Sequence, residues 1–503
     1  MARYRKTDAE AGQGLFLTVT LKEQLLPESF EYMLNDLMGN EIDISMFDEN
    51  YRNDATGATA IPPIGLMKLI IYGYRNGIKS SRKLCELARH NIVAKSLIGN
   101  IEPHWTTIAD FISRNEEKFK EIFAKVLAYC NELGLVGGET FALDGLRLPS
   151  NALIDMSGTE AELKERLEVY RRMAEKHVAK HRAADGQEEN EEERKRRFIE
   201  RQKELKQKMD KISSFLETNK KKEGSRLREI KSNVTDNESA MIHSSKGFIQ
   251  GYIGLAVTDK KNQIIVNAEA VGSSYEGEHL PGVIDKTLKN LERAGVIKHE
   301  GKKLTFMADN NYFSEDNLRA CEERGVEAII PDSQYRKRLG VNKEMRYETS
   351  DFTYSEEGNC YKCPNEKELL FKGISKLRGM EWKRYQASFN DCLVCPSNIR
   401  CIKTKKKISE LNRGRIVMIS RTNEEGSLCN AMRKKLNTEE YQNKYAYRIQ
   451  IIEPVFSSIS YCKGLNRFSL RGKKKVNGQW NLYCIVHNLS KCLSKYNKNE
   501  ESA

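Results

Sequence analysis

Two aspartates of this sequence stand where solubility does not need them. Asp144 follows Phe141 and Leu143 in FALDGLRLP, and Asp309 closes the apolar run Leu304-Thr305-Phe306-Met307-Ala308. An acid in or at the end of a core strand is well placed to join a carboxylate cluster, because ligands of α/β sheets gather at the carboxyl ends of strands. Mg²⁺ takes oxygen ligands and is usually held by a few carboxylates, with substrate phosphate supplying the rest. Two such ions about 3.5–4 Å apart stabilise both the attacking and the leaving oxygen of an in-line phosphoryl displacement. The plainer alternative for either aspartate is a cap on the following turn or helix. In ADNNYFSEDNL, Ser314 suits the helix cap, which leaves Asp309 without that job. A third acid, Glu453, lies in RIQIIEPVFSSIS. An ionised carboxylate buried without a partner costs several kcal/mol, so Glu453 either faces water or meets positive charge.

A second constellation is made of thiols. Five of the 12 cysteines are Cys360, Cys363, Cys392, Cys395 and Cys401, in CYKC, CLVC and the residue run that follows. Two C-x₂-C pairs about thirty residues apart match a zinc spacing, because each pair chelates from one tight turn. Four thiolates leave no open coordination position, so such a zinc is structural. The competing reading is unliganded thiols, and five candidates compete for four places.

Basic side chains form the third group. NRFSLRGKKKVNG brings Arg467, Arg471, Lys473, Lys474 and Lys475 together beside a glycine turn, with Phe468 and Trp480 nearby. Phosphate contact is the functional reading and a solvated loop the bland one. The whole chain carries 84 Lys and Arg against 71 Asp and Glu, a net +13, which favours a polyanionic partner. With 8 histidines, no His/Ser/Asp arrangement suggests a catalytic triad. No apolar run approaches the roughly 18–20 residues that span a bilayer, and MARYRKTDAEAGQG has no signal-peptide core. A cytoplasmic protein is expected, with reduced cysteines and no membrane partner.

These groups must be positioned by a chain of 503 residues, too long for one compact core. Residues 15–130 have helical apolar spacing and carry Arg75, Lys79, Arg82 and Lys83. A short strand with Asp144 lies in 137–157. The charged segment 158–230 has apolar residues at three-, four- and seven-residue steps, which predicts an inserted α-hairpin turning at AADGQEEN. Over 231–339 strands alternate with helices of ordinary length: two runs in GFIQGYIGLAVTDKKNQIIVNAEAV, then helix, strand, helix and strand. A cysteine-rich interruption spans 340–405, and a final helical region covers 438–495. Pro454 lacks a donor and disfavours helix at Glu453, so a kink or restart is expected there.

Taken together, FALDGLRLPSNA, LTFMADNNYFSEDNL and YAYRIQIIEPVFSSIS…GLNRFSLRGKKKV resemble the three catalytic blocks of DDE-type insertion-sequence transposases. The likeness extends to the N-terminal helical stretch, to NVTDNESAMI before GFIQGYIGLAV, and to CIVHNLSKCL, and so covers most of the chain outside the charged hairpin. It implies an α/β, RNase H-like mixed sheet flanked by helices, with an N-terminal helical domain that binds the transposon ends. It also implies that Asp144, Asp309 and Glu453 bind two Mg²⁺ (or Mn²⁺) ions for hydrolysis at the transposon end. The freed 3′-hydroxyl then attacks target DNA in the same site. Double-stranded DNA is the implied partner, and a homodimer or larger assembly the implied state on paired ends. Such a protein is prokaryotic and DNA-associated. Tyr445 and Arg448 match the cationic motif that accompanies the glutamate, with one residue more than the simplest spacing. Ser460 stands where the family has lysine, and Lys463 is the candidate substitute. Cysteine-bearing relatives favour Cys363, Cys392, Cys395 and Cys401 as ligands, with Cys360 spare. A domesticated DNA-binding protein and a metal-dependent nuclease without strand transfer are the competing functions.

Overall fold

The computed structural model describes residues 20–51, 60–183, 191–224, 229–244, 247–297, 304–339, 347, 349–377, 380–402, 413–420 and 426–500. Its N-terminal part is helical: α1 (Phe30–Asp36), α2 (Pro63–Arg75), α3 (Ser81–His90), α4 (Ile92–Ile98), α5 (Trp105–Arg114) and α6 (Glu116–Glu132). Pro63 opens α2, where its missing N–H costs nothing, and Gly99 closes α4 in the left-handed region at φ 73°. Ser29 and Asn91 cap α1 and α4 by accepting from backbone N–H groups inside the first turn.

The next part of the chain is built on strands β1 (Thr140–Pro149), β2 (Ala240–Ser244), β3 (Gly247–Asp259), β4 (Ile265–Val271), β5 (Thr305–Met307) and β6 (Glu327–Ile329). They form one mixed sheet. β3 runs antiparallel to β1 on one edge, and on the other edge to β2 and then β4. β5 is parallel to β1, and β6 is parallel to β5. The resulting order β6-β5-β1-β3-β4 is an RNase H-like sheet, with β2 alongside the start of β3. From Gln250 to Asp259 every residue of β3 is buried, the pattern of a central strand covered on both faces. Helices α9 (Leu280–Arg293) and α10 (Glu315–Glu323) connect the later strands, as the alternating pattern predicts.

Between β1 and β2 lie α7 (Glu160–Ala183) and α8 (Glu191–Thr218). The two helices pack on each other through Leu163, Leu167 and Ile212, a small cluster separate from the main core. The predicted turn at AADGQEEN falls largely outside the described residues. The cysteine-rich stretch is more ordered than an interruption. It forms an antiparallel sheet in chain order, β7 (Thr353–Ser355), β8 (Cys360–Lys362), β9 (Glu368–Leu377), β10 (Met380–Ala387) and β11 (Ile416–Ser420). Phe352, Leu369, Tyr385 and Val417 give this sheet a core of its own.

Three helices close the chain: α11 (Leu428–Leu436), α12 (Glu439–Ser457) and α13 (Lys473–Glu500). α13 packs on both β4 and α6, so it joins the sheet to the N-terminal helices. Trp480 of α13 lies over Gly254, where a Cβ would stand 2.9 Å from the indole, and donates Nε1–H to the Leu255 carbonyl at 3.0 Å. Of the expected kink or restart at Pro454, the restart does not occur: α12 runs through the proline without interruption. Its missing N–H leaves the Gln450 carbonyl without its helical donor, and Gln263 Nε2 from the β3–β4 turn supplies one at 2.8 Å. The helix then ends in a π turn over Ser458–Cys462.

Candidate active site

The parallel pairing of β1 with β5 sets Ala142 opposite Met307, so Asp144, midway along β1, and Asp309, just past the end of β5, follow two residues later on neighbouring strands. Asp309 is not free of capping duty, as the sequence had suggested. Ser314 does cap α10, but Asp309 caps the 3₁₀ turn Asn310–Tyr312, its Oδ1 accepting from Asn311 N at 2.9 Å. The sharp turn after β5 needs a cap of its own, and an acid there can serve both purposes. Asp144 Oδ1 accepts from Gly145 N at 2.8 Å.

α12 crosses β1 and turns Arg448 onto the site. The buried guanidinium donates from Nη2 to Asp144 Oδ2 at 2.7 Å. Burial works against the Arg448 charge, but the Asp144 carboxylate, with Tyr445 and Asp309, holds its pKa above the ordinary value. Tyr445, one turn earlier, rests edge-on against Tyr335 with ring centroids 5.5 Å apart, and burial pushes its phenol up to about 12. Arg448 and Tyr445 therefore stand with the two aspartates.

Glu453 does not turn inward in this structure. It is exposed on α12, while Arg448, Ile451, Ile452 and Val455 form the buried face. Five residues carry a helix roughly 140° round from Arg448, and burying Arg448 against Asp144 sends Glu453 toward water. Lys463 also lies apart from the acids. It is buried, donates to Ser458 Oγ at 2.6 Å, and has Arg75 and Lys491 as cationic neighbours.

A carboxylate that no sequence pattern singled out joins the aspartates instead. Glu276, 2% exposed, precedes α9. Its Oε1 accepts from Arg147 Nη2 at 2.9 Å and from Asn311 Nδ2 at 2.8 Å. The same Asn311 nitrogen donates to Asp309 Oδ2 at 3.1 Å, so one amide bridges the two acids. Burial, then the charges of Asp309 and Asp144, raise the Glu276 carboxyl above the usual range, opposed by Arg147 and Asn311. Burial and the Asp144 charge raise Asp309 likewise. In SSYEGEHLPG the glutamate reads as an ordinary acid ahead of a helix. Only its place after the β3–β4 hairpin could have marked it.

Among the described residues, no three Asp, Glu, His or Cys side chains converge as a ready-made cation site. The donor chemistry nevertheless fits a hard divalent ion: carboxylate oxygens only, one of them, Glu276 Oε2, buried without a hydrogen-bond partner.

The exposed Arg467 and Arg471 each donate Nε–H at 2.8 Å to the chain leaving β1, at the carbonyls of Ser150 and Asn151. Lys473, Lys474 and Lys475 are exposed at the start of α13. Phe468 and Trp480, placed near this patch by sequence, are core residues at 0% exposure. In the N-terminal helices, Arg75 covers the Phe30 ring at 4.1 Å and Arg82 approaches the Trp105 ring at 5.0 Å. Lys79 donates to the Gly464 carbonyl at 3.2 Å and Asn466 Oδ1 at 2.6 Å.

Cys363, Cys392, Cys395 and Cys401 line one small cavity, while Cys360 is buried away from it on β8. Three of the four sulfurs accept N–H bonds: Cys363 from Lys367 N at 3.3 Å, Cys392 from Arg415 N at 3.3 Å, Cys395 from Asn365 Nδ2 at 2.9 Å. Burial pushes the Cys401 thiol up to about 11.

The mixed sheet, in the order β6-β5-β1-β3-β4 with aspartates on its neighbouring parallel strands β1 and β5, has an RNase H-like architecture. Family comparisons narrow it. Residues 362–493 match the family model described as Transposase DDE domain, and residues 19–114 match Transposase domain (DUF772). Both matches are consistent with a DDE-type insertion-sequence transposase, the family its three blocks resemble. The first match includes Glu453 but neither aspartate. No curated protein matches the chain. One solved structure, a piggyBac transposase synaptic complex with hairpin DNA, is 9% identical at a TM-score of 0.34, covering 94% of this chain and 76% of that one.

Proposed function

We propose that the chain binds the terminal inverted repeats of an insertion sequence and catalyses metal-dependent cleavage and strand transfer there. The observation that carries this reading is the register of β1 and β5, which sets Asp144 beside Asp309 in a chain with transposase family domains. Asp144 and Asp309 would hold two Mg²⁺ or Mn²⁺ ions, with Glu453, which faces water in this structure, joining them once α12 turns toward the site. Bound there, the ions supply charge stabilisation to the attacking and leaving oxygens of a phosphodiester. Arg448 holds Asp144 in place and balances its charge until the site is loaded. The exposed Arg467, Arg471, Lys473, Lys474 and Lys475 hold phosphates of the DNA end, and the N-terminal helices recognise the repeat. Cleavage and joining are both in-line displacements, so one set of carboxylates serves both. Purified protein, Mg²⁺ and DNA bearing the gene's flanking repeats should give end cleavage, and Asp144→Ala should lose at least about a hundredfold while still binding the ends. Equal cleavage by both proteins would defeat the reading.

The thiols of Cys363, Cys392, Cys395 and Cys401 would hold one structural zinc, supported by the N–H groups already directed at three sulfurs. Elemental analysis should find about one zinc per chain, lost in Cys392→Ser and kept in Cys360→Ser.

A further inference from the structure

Glu276 has been given no role in this site. Resting on the metal-dependent reading above, we propose that Glu276 is a further carboxylate ligand of the cation site, offering Oε2 beside Asp144 and Asp309. The two oxygens of this side chain are treated differently by the fold. Oε1 takes two donors, Arg147 and Asn311, whereas Oε2 is buried and has no hydrogen-bond partner. Leaving a buried carboxylate oxygen unpaired is costly, and a structural glutamate would turn it toward a donor. A hard cation is the partner such an oxygen lacks.

The surroundings are arranged for that oxygen. It lies against Gly145, the residue after Asp144, in space that a Cβ at position 145 would fill. Asn311 ties the other end of the carboxylate to Asp309. Three acids, Asp144, Asp309 and Glu276, thus share one region with two guanidinium groups, Arg147 and Arg448. Negative charge remains in excess, and a divalent ion balances it. Asp144 need only exchange Arg448 for the ion, since Glu276 and Asp309 are already linked.

Mn²⁺ binding to the whole chain, followed by electron paramagnetic resonance of the free ion, tests this. Glu276→Gln should bind Mn²⁺ about tenfold more weakly or worse than wild type, with an unchanged metal-free thermal midpoint. Asp309→Asn serves as the reference. If Asp309→Asn loses Mn²⁺ and Glu276→Gln binds as wild type does, the assignment of Glu276 fails and the metal-dependent reading stands. If Asp309→Asn binds as wild type does, both fall. A second measurement needs no variant at Glu276. Infrared difference spectra on adding Mn²⁺ to Glu453→Gln protein should show a glutamate carboxylate band that moves with ¹³C-glutamate labelling. Movement confined to aspartate bands would overturn the assignment.

Discussion

At the scale of residues, the long side chains are where sequence and structure part. Lys463 follows Glu453 closely enough to serve as the missing family lysine, yet it is buried toward the cations Arg75 and Lys491. Burial lowers its pKa to about 8. The folded value lies below the ordinary lysine value, so between the two the unfolded chain binds more protons and stability rises with pH. Lys463→Met should therefore stabilise the protein at neutral pH, by on the order of 1–3 kcal/mol in urea unfolding. The gain should shrink as pH rises from 8 toward the lysine range, and a gain that does not depend on pH would contradict the assignment. The aspartates were legible because each ends an apolar run. Glu276 was not, because an acid before a helix is commonplace and its contacts with Arg147 and Asn311 exist only after folding.

At the scale of elements, strong periodicity was readable and backbone rescue was not. The runs GYIGLAV and QIIVNAEAV became β3 and β4, and SEDNLRACEERG became α10 under its expected Ser314 cap. The sheet of β7 to β11 escaped notice because much of it has a wet face: Leu370, Phe371 and Ile374 of β9 are exposed among polar neighbours. The restart expected at Pro454 is absent for a different reason. Local chemistry predicts a kink or restart, whereas Gln263, distant in sequence, fills the vacant acceptor on Gln450. Gln263→Ala removes that bond and the one its Oε1 accepts from Lys491. The expected loss is about 1 kcal/mol of unfolding free energy, with Pro454→Ala in the same background restoring part of it. No restoration would mean that the Gln450 carbonyl is not what Gln263 serves.

At the scale of the whole molecule, α13 joins the N-terminal helical unit to the mixed sheet. Its inner face joins β4 to α6, and its basic first turn lies beside the loop tied to the end of β1 by Arg467 and Arg471. Lys79 fastens the α2–α3 turn to that same loop. No described helix is long and apolar enough to cross a membrane. The central claim is that paired aspartates on β1 and β5 carry both chemical steps, and joining isolates the second. A transposon end supplied with its 3′-hydroxyl already free should be joined to a target plasmid by the wild-type protein in Mg²⁺. Asp309→Asn should bind that end with unchanged affinity and form no joined product. Joined product at the wild-type rate from Asp309→Asn would contradict the account.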